Sequence, residues 1–161
     1  MMLTVEEFAK KYLWQPGNAP QMVDFCSALG SDKAPRAKRS DPDFYFNSDD
    51  YQIILHFVDE DYLAKREVEK YGTAPMLLIS AEIPVESDTD TRKPVIQLPI
   101  DVVPGVTRKD VLASMGKAPD KSYESSGVVR NDQWFHETCR VVYSYGKEGE
   151  LKRVQIVSNK Y

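Results

Sequence analysis

The stretch TRKDVLASMGKAPDK, residues 107–121, predicts a helix with a defined start and a defined end. Thr107 is a residue type that caps helix N-termini, Gly116 is one that ends helices, and Pro119 prevents the helix from resuming. The apolar side chains that share one face of this helix are Val111, Leu112 and Met115. A similar stretch, MVDFCSALGSDKAP, occurs earlier at residues 22–35. The recurrence indicates an internal repeat.

The strands predicted after each of these helices support the repeat. After the first helix, alternating apolar residues bounded by turn residues predict strands in DFYFN, YQIILHF and PMLLISAEI. After the second helix they predict strands in QWFHET, CRVVYSY and ELKRVQIV, whereas KSYESSGVVRND, residues 121–132, is predicted to be a loop. We therefore expect an α+β fold of two tandem units, each a helix packed on an antiparallel sheet.

The two units are expected at residues 1–83 and 95–161 of a single domain, 1–161, with the proline-bracketed connector 84–94 between them. Their sheets are predicted to join into one continuous, saddle-like sheet that carries helices on one face and leaves the other face open. The first unit also contains DEDYLAKREVEKYG. Its order of acids, then bases, then glycine predicts a further helix over residues 59–71.

Two more signals predict helices before the first strand. Thr4 and Glu7 have the spacing of a capping box, in which the side chain of each residue accepts a hydrogen bond from the backbone of the other. A second helix is expected to begin near Pro20 and to end at Gly30, because proline suits the first helical turn and glycine suits the end.

Composition and charge argue against several classes of protein. The chain has 161 residues and a net charge of −4, so nucleic acid is not an expected partner. Its apolar runs are far shorter than the ~20 residues that span a bilayer, and residues 1–7 lack the pattern of a secretory signal. We therefore expect a cytoplasmic protein without a membrane partner. Cys26 and Cys139 are expected to be buried free thiols.

Strand alternation predicts which side chains line the open face. We expect this face to bind another protein, with an ordinary solvated sheet face as the alternative. The residues expected to contact a partner are Tyr45, Asp49, Asp50, Gln52, Ile54, His56, Asp59, Glu60, Asp61, Arg140, Val142 and Arg153. Four further residues are expected to line the same face, namely Met76, Leu78, Ser80 and Gln155.

The stretch WFHETC, residues 134–139, comes nearest to a catalytic pattern. His136 and Cys139 fall on opposite faces of a strand, and this spacing does not place the two side chains within hydrogen-bond reach. The sequence also lacks metal-ligand spacings and a glycine-rich phosphate loop. We therefore expect no enzymatic activity, no metal and no cofactor.

The second unit resembles a unit found in many small bacterial proteins. LPIDVVPGVTRKDVLASMGKAPD, a strand with tryptophan and VVYSYGKEGELKRVQIV follow its pattern of Leu-Pro, a capped apolar helix ending in glycine, and a hairpin with glycine at its turn. Residues 98–157 are thus similar to the repeat of β-lactamase inhibitory proteins, which have two such units, and of BamE/SmpA lipoproteins, which have one. Numerous immunity proteins encoded beside bacterial toxins resemble it too. Ala118, between Lys117 and Pro119, departs from the pattern, and the lipoprotein signal is missing.

This resemblance implies an immunity protein that binds a cognate bacterial toxin or effector and blocks its active site or the access of its substrate. Aromatic side chains would then supply buried area, and carboxylates would meet a basic toxin. The alternative is a non-enzymatic adaptor or a self-associating structural module. A third hypothesis is a small-ligand binder or enzyme that uses His56 or His136.

Overall fold

The computed structural model describes residues 1–85 and 91–161 and has the expected α+β fold. The strands are β1 (Leu3–Thr4), β2 (Asp43–Asn47), β3 (Ile54–Asp59), β4 (Met76–Pro84), β5 (Ile96–Gln97), β6 (Lys121–Ser125), β7 (Val128–Phe135), β8 (Cys139–Tyr145) and β9 (Leu151–Ser158). The helices are α1 (Val5–Tyr12), α2 (Pro20–Ala28), α3 (Glu60–Leu63) and α4 (Arg108–Met115). Residues 86–90 of the expected connector lie outside the described residues.

Seven strands form one antiparallel sheet in the order β2-β3-β4-β9-β8-β7-β6, and β1 and β5 form a separate parallel pair. Beyond the end of β9, residues 14–17 take the place of β9 beside β4. The Trp14 N–H donates to the Leu78 carbonyl at 2.6 Å, and the Gly17 N–H donates to the Met76 carbonyl at 2.7 Å. The segment that follows α1 is therefore held at the end of the large sheet.

The predicted caps of α1 and α4 are confirmed. The Thr4 hydroxyl accepts from the Glu7 N–H at 3.1 Å, and the Glu7 carboxylate accepts from the Thr4 N–H at 2.9 Å. Thr107 and Asp110 form the same reciprocal pair at the start of α4. Gly116 ends α4 at φ +70°, a conformation that glycine adopts without strain. Within residues 1–85 and 91–161, no helix combines the length and the apolar character needed to cross a membrane.

Helices α1, α2 and α4 pack on one face of the large sheet, called the covered face below. Phe8 on α1, Met22 on α2 and Val111 on α4 are fully buried and belong to one apolar cluster. The strands contribute to this cluster Leu55, Phe57, Leu78, Trp134, Val141, Tyr143, Val154 and Ile156. Burial of a large apolar side chain contributes about 1.5–3 kcal/mol, so this cluster is the main source of stability.

The residues of the opposite face, called the open face below, do not belong to this apolar cluster. A β-bulge corrects two expectations about it. His56 pairs with Ser80 while Phe57 pairs with Leu78, so Ile79 is an extra residue in β4. The extra residue reverses the alternation of β4, since side chains alternate with a period of two. Met76 and Leu78 therefore lie on the covered face, not on the open face.

The prediction of a helix over residues 59–71 is wrong for most of that range. Only α3, a single turn from Glu60 to Leu63, is helical. Residues 64–70 are exposed, and Lys65 has φ +55°, which ends the helix. A short helix without an apolar face packed on the core is marginal in water, which explains why the charge pattern alone does not sustain it.

The prediction of a loop over residues 121–132 is also wrong, because these residues form most of the β6–β7 hairpin. Ser126 and Gly127 have φ +54° and +76°, and two successive residues with positive φ are what a type I′ hairpin turn requires. The hairpin adds an edge strand to the sheet. The strand expected at YQIILHF begins later than expected, at Ile54.

Candidate protein-binding face

A depression of about 500 Å³ lies on the open face where β2, β3, β4 and β9 run side by side. It is called the open-face depression below, and its lining residues are Tyr45, Asn47, Ile54, His56, Ser80, Glu82, Arg153 and Gln155. Four residues predicted to contact a partner meet here, namely Tyr45, Ile54, His56 and Arg153. They come from both halves of the sequence, and the pairing of β4 with β9 brings them together.

An aromatic stack forms the most exposed part of this depression. The rings of Tyr45 and His56 are 4.2 Å apart between centroids, and their planes differ by 11°. Tyr45 is 62% exposed. The ring of Tyr161 meets the His56 ring edge-on at 6.5 Å. Exposed tyrosines supply a large rigid surface at a low entropy cost, which is why they are enriched at the centre of protein interfaces.

The carboxylates around the stack are paired. Asp43 Oδ1 lies 2.6 Å from His56 Nε2, and Glu82 Oε1 lies 3.5 Å from Arg153 Nε. Partial burial, followed by the charge of Asp43, raises the pKa of Tyr45, so its hydroxyl is protonated and able to donate at neutral pH. Asp43 and Glu82, which were not among the acids expected to meet a partner, are therefore engaged with bases beside the stack.

Arg140 and Val142 lie on β8, next to β9 and beyond the rim of the depression. Val142 is opposite Gln155 in the β8–β9 register and is largely buried. One guanidinium nitrogen of Arg140 donates to the Ser158 carbonyl at 3.1 Å. These two predicted contact residues extend the open face toward β7.

The predicted residues around the β2–β3 connection divide into two groups. Asp49 and Asp50 are exposed in the connection. Gln52 is not on the open face, because its side-chain amide donates to the Pro84 carbonyl at 2.7 Å and to the Val102 carbonyl at 2.9 Å. Its role is to tie backbone segments together.

The predicted acids around α3 are mostly engaged. Asp59 is 0% exposed and accepts hydrogen bonds from the Asp61 and Gly72 N–H groups at 2.9 and 3.0 Å. Its expected place on the surface is therefore wrong, since it caps α3 from the interior. Asp61 pairs with Arg66 at 3.0 Å, and Glu60 is half-buried.

A second depression of about 500 Å³, not foreseen from the sequence, lies beside the Tyr161 ring. It is called the aromatic–basic depression below, and its lining residues are Trp14, Tyr62, Leu63, Lys65, Arg66, Tyr71, Lys160 and Tyr161. Tyr62 and Tyr71 meet edge-to-face at 6.1 Å. The available signal was the interleaving of tyrosines with lysine and arginine in residues 62–71 and in the C-terminal SNKY.

His136 and Cys139, the nearest approach to a catalytic pair in the sequence, lie apart from these depressions. His136 Nδ1 lies 3.0 Å from Glu6 Oε1, at a mostly apolar cleft of about 340 Å³ between α1, β8 and the end of α4. Burial, followed by the charge of Glu6, raises the pKa of Cys139 to about 11. Its thiol is therefore protonated at neutral pH and a poor nucleophile.

A polar cluster that the sequence analysis missed lies on the covered face. The Asp132 side chain is 0% exposed and accepts two bonds from Arg108, at 2.8 and 3.1 Å, and one from Ser122 at 2.6 Å. Burial alone would raise the pKa of Asp132, but the bonds from Arg108 and Ser122 hold it below its usual value. The cluster fastens α4 to the β6–β7 hairpin.

The chain was also compared with known proteins. Family models, curated protein sequences and solved structures contain no significant match to it. Among residues 1–85 and 91–161, no three histidine, cysteine, aspartate or glutamate side chains are placed to hold a metal ion. The candidate site is therefore assigned from the geometry of the open face.

Proposed function

We propose that this protein is a cytoplasmic immunity protein that binds a cognate bacterial toxin or effector through its open face and thereby blocks the toxin's active site or the access of its substrate. The observation that carries the proposal is the stack of Tyr45 on His56 within the open-face depression. A solvent-exposed aromatic stack on a sheet without a covering helix is an anchor for a protein surface. The resemblance of residues 98–157 to the repeat of inhibitory proteins points to the same role.

The strand order supports the tandem-unit architecture on which this resemblance depends. We interpret α2-β2-β3-β4 as one unit and α4-β7-β8-β9 as the other, with β6 as an addition. The last strands of the two units, β4 and β9, pair with each other, so the two three-stranded sheets continue as one. In this interpretation the open-face depression spans the junction of the units, and a saddle-shaped sheet would offer it to a convex partner.

Most of the binding free energy is expected to come from the aromatic side chains. Truncation of a central interface tyrosine typically costs about 2 kcal/mol or more, whereas truncation at the rim costs little. The exposed Asp49 and Asp50 at the nearby connection then act mainly on the association rate, because rim charges steer encounter more than they hold the complex.

The test is co-expression with the product of the adjacent gene, followed by co-purification, calorimetry and a growth assay. We expect a 1:1 complex and protection of cells. Tyr45→Ala should weaken the complex by about 30-fold or more, which corresponds to about 2 kcal/mol. The matched control is Tyr123→Ala, which removes a tyrosine of similar exposure from the far edge strand β6 of the same sheet. It should change the affinity less than threefold.

A neighbouring product that is neither toxic nor bound would overturn the proposal. The self-associating alternative rests on a different observation, namely that β2 is an edge strand of the large sheet with Tyr45 exposed on it. Free edge strands pair readily with other chains. Concentration-dependent self-association in sedimentation, without any partner, would favour that alternative.

A further inference from the structure

The aromatic–basic depression combines exposed aromatic rings with lysines that are free of ion pairs among the described residues. Tyr62 and Tyr161 are 50% and 53% exposed. Arg66 is paired with Asp61, whereas Lys65 and Lys160 have no carboxylate within ion-pair distance in residues 1–85 and 91–161. Uncompensated cations beside aromatic rings attract an anionic group that has an apolar neighbour.

The backbone at this depression is strained at two of its lining residues. Trp14 has φ +63° and Lys65 has φ +55°, in the left-handed region that side chains other than glycine avoid. The Trp14 N–H is held by the Leu78 carbonyl at 2.6 Å, and the Lys65 N–H by the Tyr62 carbonyl at 3.0 Å. Strained non-glycine residues occur preferentially at functional sites, where the surrounding structure fixes them. Here both strained residues, one aromatic and one cationic, line the same depression.

We infer that the aromatic–basic depression receives an acidic segment of the bound protein, with a carboxylate between Lys65 and Lys160 and its neighbouring apolar group against Trp14 and Tyr62. The inference rests on the proposed function and names the chemistry of the partner's second contact. The Tyr161 ring, which lines this depression, contacts the His56 ring, which lines the open-face depression, so the two depressions adjoin each other. A protein seated on the Tyr45–His56 stack is therefore adjacent to the depression that both lysines line.

The charges around the depression favour a short acidic segment over a nucleic acid. The segment that supplies Lys65 also carries several acids, namely Glu60, Asp61, Glu67 and Glu69. A polyphosphate backbone would meet these carboxylates as well as the two lysines, and the net charge of the chain is −4. One or two carboxylates of a protein loop would meet the lysines alone.

The main test is a double charge reversal, Lys65→Glu with Lys160→Glu, measured by calorimetry against the adjacent gene's product over a range of salt. We expect the dissociation constant to rise at least tenfold at low salt and its salt dependence to become shallower. The matched control is Lys109→Glu with Lys147→Glu, which changes the net charge equally at exposed lysines outside both depressions. The control should change affinity less than threefold. Equal effects of the two double variants would overturn the inference and leave the proposed function standing.

A second measurement remains decisive if the adjacent product does not bind and the proposed function fails. Hexaglutamate is titrated into the protein, and the indole NH resonance of Trp14 is followed by NMR, since the other tryptophan, Trp134, is buried. We expect Trp14 to shift in the wild type and in the Lys109/Lys147 control, and not in the Lys65/Lys160 variant. No shift in the wild type, or an equal shift with an oligothymidylate of the same length, would overturn the inference.

Discussion

The covered face and the open face of the sheet use the same strands for different purposes. On β3, Leu55 and Phe57 point to the covered face and are fully buried, whereas Ile54 and His56 point to the open face and remain half-buried. Each face also has a carboxylate beside a base. The Asp132 side chain on the covered face is 0% exposed, while the Asp43 side chain on the open face is 37% exposed. At these positions, burial separates residues that hold the fold from residues available to a partner.

Substitutions at neighbouring positions of β3 test the difference in burial between the two faces. Leu55→Ala should lower the free energy of unfolding by about 3 kcal/mol, because it removes a fully buried side chain and leaves a cavity. Ile54→Ala, on the opposite face of β3, should cost about 1 kcal/mol. Urea denaturation of both variants measures the difference. Similar losses for the two variants would mean that the open face is part of the core.

The next prediction compares the two carboxylates. Asp132→Ala should lower the free energy of unfolding by about 2–3 kcal/mol, since it leaves the Arg108 guanidinium without its partner. The loss stays below that of a fully buried pair because one third of the Arg108 side chain is exposed. Asp43→Ala should cost less than about 1 kcal/mol, because solvent screens its pair with His56. Thermal and urea unfolding check both values.

The pH dependence of stability tests the role of the buried Asp132 carboxylate. The pKa of Asp132 is lower in the folded protein than in the unfolded chain, where it is about 3.9. Its contribution to stability is therefore fully present above about pH 5 and is lost as the pH falls through the folded pKa. The stability difference between wild type and Asp132→Ala should be constant from pH 7 to 5 and should shrink below pH 4. A difference that stays constant down to pH 2 would contradict this assignment.

Local sequence signals were sufficient to predict the helices whose ends are fixed by capping residues. The capping pairs at Thr4 and Thr107 and the glycine at Gly116 placed α1 and α4, because capping depends on residues within one turn. The charge pattern of residues 59–71 was not sufficient, because a helix on the surface also needs an apolar face against the core. The Ser126–Gly127 turn signal was present in the sequence and would have identified the β6–β7 hairpin.

The residues of the candidate site could be predicted only where the side chains of a strand alternate regularly between the two faces. Alternation placed Ile54 and His56 on the open face correctly, but the bulge at Ile79 reversed it in β4 and moved Leu78 to the covered face. A bulge is set by packing between strands, and a single sequence carries no local sign of it. The buried Asp132 and the aromatic–basic depression depend on contacts between distant segments, so neither followed from spacing along the chain.

Two strained residues of similar backbone conformation differ in whether they line a candidate contact surface. Lys65 and Ser126 have nearly equal positive φ values, +55° and +54°. Glycine relieves this strain, so Lys65→Gly and Ser126→Gly should each raise the free energy of unfolding by about 0.5 kcal/mol. Only Lys65→Gly should weaken binding of the adjacent gene's product, by a few fold, because only Lys65 lines the aromatic–basic depression. Unchanged affinity of Lys65→Gly would mean that the Lys65 side chain does not contact the partner.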